Sequence, residues 1–202
     1  MSSLEVAVAA IRAGELVVIP TDTVYGLACT PYYEKPVRVL SALKGRAPDR
    51  PIALVAVSVE WLLECVPELR GRAGVLTRAL LPGPYTLVLP NPARRYPWLT
   101  GDRPDTIGVR IPDLDGRARE ILDRVGAIAA TSANRHGDAD PRRLADVPQG
   151  ILAAVAVAVD GGELPGTPST VLDLTGTEPR VLREGAVPEA EALARVAAVV
   201  AQ

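Results

Sequence analysis

The stretch Leu16-Val17-Val18-Ile19-Pro20-Thr21-Asp22-Thr23-Val24-Tyr25-Gly26-Leu27 decides how this chain is read. Its first four residues are apolar on both alternating faces, the pattern of a strand covered on both sides. Pro20 has no N–H to donate and ends the ladder. Two threonines, a carboxylate and a glycine follow, the composition of a strand end turned towards a ligand.

Working outward, Ser2-x-x-Glu5 forms a capping box for a helix over 3–13 that Gly14 stops, and a strand over 15–19 follows it. Pro36 opens a second helix reaching 43 or 44, closed by Gly45. A strand over 52–57, helices over 59–65 and 71–80, and a strand over 85–89 come next. The Pro-, Arg- and Gly-rich stretch 91–105 reads as a long loop. Beyond it lie a strand over 106–111, a helix over 116–125 and a strand over 127–131. Strands over 152–159, 169–174 and 181–182 and an Ala-rich helix over 188–201 complete the chain. The order lacks a clean βαβα rhythm, so the expected architecture is α+β, a twisted mixed sheet flanked by helices in one domain over 1–202.

Composition sets the remaining bounds. An apolar share of 48% and a charged share of 23% fit a packed globule. A net charge of −2 argues against a general polyanion binder, so any basic patch is local. Only Lys35 and Lys44 are lysines among 22 basic residues, which makes Lys44 conspicuous in a chain that otherwise uses Arg. Cys29, Cys65 and the single His136 assemble into no usual zinc ligand set, and two isolated thiols fit a reducing compartment. The first residues lack a basic stretch followed by an apolar one, and the longest apolar run, 151–159, is too short to span a bilayer. A cytoplasmic protein without membrane contact is expected.

Several short segments could carry chemistry. In Leu43-Lys44-Gly45-Arg46-Ala47-Pro48-Asp49-Arg50-Pro51, the cations Lys44, Arg46 and Arg50 fall at a helix end and the loop after it. Such a loop can aim a compact ammonium and planar guanidinium forks at phosphates, or simply complement a helix C-terminus in solvent. No Walker motif or Gly-x-Gly-x-x-Gly fingerprint occurs. Ala130-Thr131-Ser132-Ala133-Asn134 ends an apolar strand in small polar groups, which suits either a ligand or a turn. Pro168-Ser169-Thr170-Val171 enters a strand and Arg183-Glu184-Gly185 leaves one. Thr106 and Arg110 share one face of Thr106-Ile107-Gly108-Val109-Arg110 by period-two spacing.

Taken in order, IPTDTVYGLACTP, KGRAPDRPIAL, LLPGPYTLVLP, TIGVRIPD, TSAN, PSTVLDL and VLREGAV resemble the YrdC-like threonylcarbamoyl-AMP synthase family from about residue 4 to 187. The resemblance is to the short, single-domain type, and it implies a largely antiparallel mixed sheet with a concave basic cleft. It also implies synthesis of L-threonylcarbamoyladenylate and pyrophosphate from L-threonine, bicarbonate or CO2, and ATP. That product serves tRNA modification by a partner transferase, with tRNA contact an open expectation and Mg2+ travelling with ATP. By the same resemblance, Lys44, Arg46, Arg50, Thr106, Asn134, Arg142 and Arg183 would bind ATP, and Thr23, Arg110, Ser132 and Ser169 would bind threonine. No covalent nucleophile and no protein-bound metal is implied; Lys44 and Arg46 would act electrostatically. The chain departs from the family at Arg50-Pro51-Ile52, where Lys-Pro-Leu is common, and at Val55, near which some relatives carry a histidine.

Two rival readings remain at this stage. One is a paralogue of the same fold that binds nucleotide or RNA without synthase activity; its phosphate contacts would dominate affinity, and the 3% aromatic content offers few stacking platforms. The other is the related domain of hydrogenase-maturing carbamoyltransferases, whose zinc-finger cysteines this chain lacks.

Overall fold

The computed structural model describes residues 2–47 and 49–201. Helix α1 (Ser3–Ala13) begins at the expected capping box, with the Ser2 hydroxyl accepting from Glu5 N and the Glu5 carboxylate from Ser2 N. Strands β1 (Val17–Ile19) and β2 (Gly26–Cys29) form an antiparallel hairpin around the Pro20 turn, and α2 (Glu34–Lys44) follows. Next come β3 (Ala53–Ala56), α3 (Val59–Cys65), α4 (Gly71–Leu80), β4 (Tyr85–Pro90), β5 (Thr106–Arg110), α5 (Gly116–Val125) and β6 (Ala127–Ser132). A 3-10 turn (Leu144–Asp146), α6 (Gln149–Leu152), β7 (Val157–Ala158), β8 (Thr170–Asp173), β9 (Arg180–Arg183) and α7 (Glu189–Val200) complete the described elements.

The strands join in one sheet of order β7-β1-β2-β6-β3-β5-β4-β8-β9. Five of its eight pairings are antiparallel and three, β1 with β7, β3 with β5 and β4 with β8, are parallel. The mixed, largely antiparallel α+β architecture is therefore as the sequence implies. One face carries Leu27, Cys29, Leu54, Leu87, Val109, Ala129 and Leu172 into the main core, beneath α2, α3, α4 and α7. The opposite face packs Val17, Ile19, Ala28, Val55 and Ile128 against α1 and α5. Those two helices lie against β1, β7 and β6, so this face is left open over β3, β5, β4 and β8.

Three local expectations differ from the structure. The run 152–159 is only briefly a strand: Pro148 opens α6, Ala153 N donates back to Gln149 O, and only Val157 and Ala158 pair with β1. An unbroken apolar run carries no periodicity to separate helix from strand, and this one divides between the two. Strand β2, which the sequence reading leaves unassigned, forms because Thr21 folds the chain back, its hydroxyl donating to Val24 O at 2.6 Å and accepting from Val24 N at 3.2 Å. Helix α2 starts two residues before Pro36, whose missing N–H falls within the first turn, where no intrahelical partner exists. Pro48, quoted in the cationic segment, lies outside the described residues.

Candidate active site

The open half of the sheet is the floor of a cavity of about 420 Å³, within the range of small-molecule sites. Register decides which residues stand on it, because directly opposed residues project to the same face. Gly26 faces Ser132, Ala53 faces Ala130, Val88 faces Gly108, Thr86 lies beside Val171, and Val55 lies beside both Ile128 and Arg110. Glycine and alanine at 26, 53, 108 and 130 keep the floor low. A Cβ on Gly108 would meet only Ala53 Cα and Thr86 Cγ2, both at 3.9 Å, so a side chain there fits but rises into the cavity. Gly108→Ala is expected to retain stability and ligand binding, whereas Gly108→Leu retains the fold and loses binding by at least about tenfold; thermal melts and calorimetry check the pair.

Five cations line the cavity, Lys44, Arg46, Arg103, Arg110 and Arg183, and no Asp or Glu does among the described residues. Lys44 ends α2, where Gly45 in the left-handed conformation at φ 66° turns the chain away. Its ammonium belongs to a side chain 4% exposed and donates to Ser132 O at 2.6 Å, Ser132 Oγ at 3.1 Å, Asn134 O at 3.1 Å and Asn134 Oδ1. The Ser132 hydroxyl donates onward to Asn134 Oδ1 at 2.7 Å. Asn134 Nδ2 in turn donates to Asp138 O at 2.7 Å and Asp140 Oδ1 at 3.1 Å. Lys44 thus ties the cation loop to the end of β6 as one polar cluster; of the two uses open to its type, the helix-terminal surface lysine is not the one found.

Arg46 reaches Thr131 Oγ1 at 3.2 Å and Pro51 O at 2.8 Å, while its buried Nε has no partner among the described residues. Burial, with Arg50 and Arg183 nearby, lowers its proton affinity. Arg183 donates to Ser169 O at 2.8 Å and Ser169 Oγ at 3.3 Å, and the Ser169 hydroxyl meets Thr86 Oγ1 at 2.8 Å. At the other side, Arg110 Nη2 donates to Thr23 Oγ1 at 2.9 Å and to Asp22 Oδ1, while its buried Nε likewise has no partner among the described residues. A buried N–H left without an acceptor is costly, and both of these orphaned donors belong to arginines that line the cavity.

Thr23, Lys44, Arg46, Thr106, Arg110, Ser132, Asn134, Ser169 and Arg183 therefore converge on one cavity. Arg50 and Arg142 do not line it. Arg50 acts on it through its charge beside Arg46. Arg142 pairs with Glu163 at 3.1 Å and lays its side chain across Gly166, where a Cβ would come within 2.3 Å of Arg142 Cδ. That fastens the segment 160–168, which leads to Ser169. Thr86, Thr131 and Arg103 also line the cavity, and Asp22 reaches it through Arg110; the sequence reading assigns none of the four to the site. Alternation along β4 points to Thr86 and the segment 130–134 contains Thr131, but nothing in the loop before β5 marks Arg103.

Burial, and secondarily Arg46, lowers Lys44 from 10.5 to about 8, against the opposing pull of Asp140 and Asp138. Between those values the unfolded chain holds a proton the folded chain has released. The penalty of burying this ammonium is thus full below about pH 8 and fades as pH rises towards 10.5. For a polyanion the consequence is opposite in sense: affinity falls as pH rises through about 8, and binding near that pH draws a proton from buffer. Calorimetry of ATP binding in buffers of differing ionisation enthalpy is expected to show that uptake.

The cavity is lined by arginines, one lysine and small hydroxyls and stands on the open face of a mixed sheet. The chain belongs to the Sua5/YciO/YrdC family: the profile of that family, described as "Telomere recombination", matches residues 9–185. It is 39% identical over 185 residues to a Mycobacterium tuberculosis protein provisionally named threonylcarbamoyl-AMP synthase, covering 90% of this chain and 83% of that one. It is 36% identical over 188 residues to the threonylcarbamoyl-AMP synthase of Pyrococcus abyssi, covering 92% of this chain and 54% of the relative. The crystal structure of P. abyssi Sua5 complexed with L-threonine superposes with a TM-score of 0.85 at 35% identity, over 96% of this chain and 58% of the other. The chain thus spans little more than half the length of the Pyrococcus protein.

Proposed function

We propose that the protein is an L-threonylcarbamoyladenylate synthase, joining L-threonine, bicarbonate or CO2, and ATP into threonylcarbamoyl-AMP and pyrophosphate. The observation that carries this reading is the meeting, in one cavity, of two cations without carboxylate partners among the described residues, Arg46 and Arg183, with Arg110, which is paired with Asp22 and donates to Thr23. In this assignment the triphosphate lies towards Arg46, Arg183, Lys44 and Asn134, with Thr106 and Arg103 at the nucleotide side and Arg50 adding charge from outside. The threonine carboxylate takes the guanidinium of Arg110, and its polar groups face Thr23, Ser132 and Ser169. Arg142 supports the segment before Ser169 rather than the cavity wall, and reaches ATP only if that segment moves.

The threonine amine adds to CO2, losing a proton, and gives a carbamate. A carbamate oxygen then attacks the α-phosphorus of ATP, forming the O–P bond as the bond to pyrophosphate breaks. The chain has to align a short-lived anion with a phosphate and stabilise charge on the leaving group, which fixed guanidinium and ammonium groups do. The cavity lining offers hydroxyls and amides but no carboxylate to a divalent cation, so Mg2+ is assigned to phosphate oxygens and water rather than to this chain. The intermediate passes to a tRNA-modifying transferase, in the cytoplasm. No helix is long and apolar enough to cross a membrane among the described residues.

Pyrophosphate release tests the proposal. It is expected with all three substrates and not when threonine, bicarbonate or ATP is omitted. Threonine-independent release, or none at all together with salt-sensitive tRNA binding, would favour the non-synthetic paralogue instead.

A further inference from the structure

The cations of the cavity are not equivalent. Arg46 and Arg183 have no ion pair among the described residues, and Lys44 contacts only neutral oxygens. Arg110 is paired with Asp22, and both side chains are nearly enclosed, at 12% and 10% exposure. Asp22 Oδ2 accepts from Asp113 N at 3.3 Å, which holds the carboxylate against the guanidinium from behind. Asp22 itself does not line the cavity; it lines a smaller adjoining pocket with Asp113, Asp115, Arg117 and Asp160, and Thr21 and Leu114 line both. Arg110 is therefore the charge-compensated arginine of a lining in which Arg46 and Arg183 have no ion pair among the described residues.

We infer that Asp22 is a specificity-determining residue: by neutralising Arg110 it reserves that guanidinium for a singly charged carboxylate and directs polyphosphate to Arg46 and Arg183. The inference rests on the synthase reading for the identity of the carboxylate. Its physical content is independent of turnover. Arg110 shares one nitrogen, Nη2, between Asp22 and Thr23, and its buried Nε has no partner among the described residues. A carboxylate can pair with this guanidinium, but the added charge of a phosphate there would meet the Asp22 carboxylate already bound to it. Without Asp22, Arg110 would compete with Arg46 and Arg183 for the triphosphate, and a triphosphate held on Arg110 would exclude threonine.

Asp22→Asn keeps the shape and one acceptor and removes the charge. Titrated calorimetrically with pyrophosphate, the wild type is expected to bind one equivalent and the Asp22→Asn variant a second. Threonine displaces the second, and adding Arg110→Gln abolishes it. In turnover the variant is expected to show a threonine KM raised by about tenfold, little change in kcat, and inhibition by ATP competitive with threonine. A merely loosened site would raise the threonine KM without creating a second anion site. One equivalent of pyrophosphate in the folded variant, with no ATP competition, would overturn the inference. Asp22→Ser, smaller and neutral, gives the same readout if Asp22→Asn does not fold. A wild type without threonine-dependent pyrophosphate release would sink the synthase reading alone, since the pyrophosphate stoichiometries still decide the role of Asp22.

Discussion

Lys44→Ala is expected to lower kcat/KM for ATP by about 10²–10³-fold, the scale seen when one preorganised donor is removed from a charge-stabilising site. The ammonium is buried, and its hydrogen bonds run to two backbone carbonyls and two side-chain oxygens at the end of β6. Truncation would leave those acceptors buried without a donor, at about 1–3 kcal/mol each where water does not enter, so the melting temperature falls as well. Lys44→Met, which keeps the length and loses the charge, separates packing from electrostatics. Because Ser132 and Asn134 hang on the same ammonium, threonine use is expected to suffer alongside ATP use. Ser132→Ala, which removes one hydroxyl and leaves the ammonium its other acceptors, is expected to act chiefly on the threonine KM. Initial rates with each substrate varied in turn check both.

The second large effect is expected at Arg110. Arg110→Gln removes the cation beside Thr23 and leaves Asp22 enclosed without an ion-pair partner among the described residues. Losing a charge-assisted carboxylate contact of about 2–3 kcal/mol corresponds to a threonine KM higher by roughly 30–150-fold. The uncompensated Asp22 destabilises the fold by about 3–5 kcal/mol, within the range for breaking one side of a buried pair. Burial already holds Asp22 above its ordinary value of 3.8 despite Arg110, so without that partner it takes up a proton more readily. Denaturant melts at pH 5 and pH 8 are therefore expected to show the variant's deficit shrinking at the lower pH.

Much of this was legible in the sequence because chemistry and punctuation coincide. Pro20 and the turn residues after it mark the strand end, Gly14 and Gly45 mark helix ends, and both glycines are in the left-handed conformation that role requires. Period-two spacing on β5 placed Thr106 and Arg110 on one face, and both line the cavity. The grouping of residues from six distant segments comes from the family resemblance and not from any local rule, since which face of the sheet is left open depends on where α1 and α5 pack. What the chain did not announce is charge pairing across space. Asp22 and Arg110 are 88 positions apart, and their contact follows from the hairpin of β1 and β2 meeting the end of β5. Nor could composition tell Arg142, spent on Glu163, from Arg183, which faces the cavity.

The most direct test is a crystal structure with L-threonine and a non-hydrolysable ATP analogue bound together. The account predicts both in the cavity over β3, β5, β4 and β8, the carboxylate on Arg110 and Thr23, the triphosphate on Arg46 and Arg183. The threonine nitrogen should then lie close enough to the α-phosphate for a carbamate oxygen to come within about 3–3.5 Å of phosphorus. Threonine and nucleotide found on separate surfaces, or the triphosphate seated on Arg110, would contradict it.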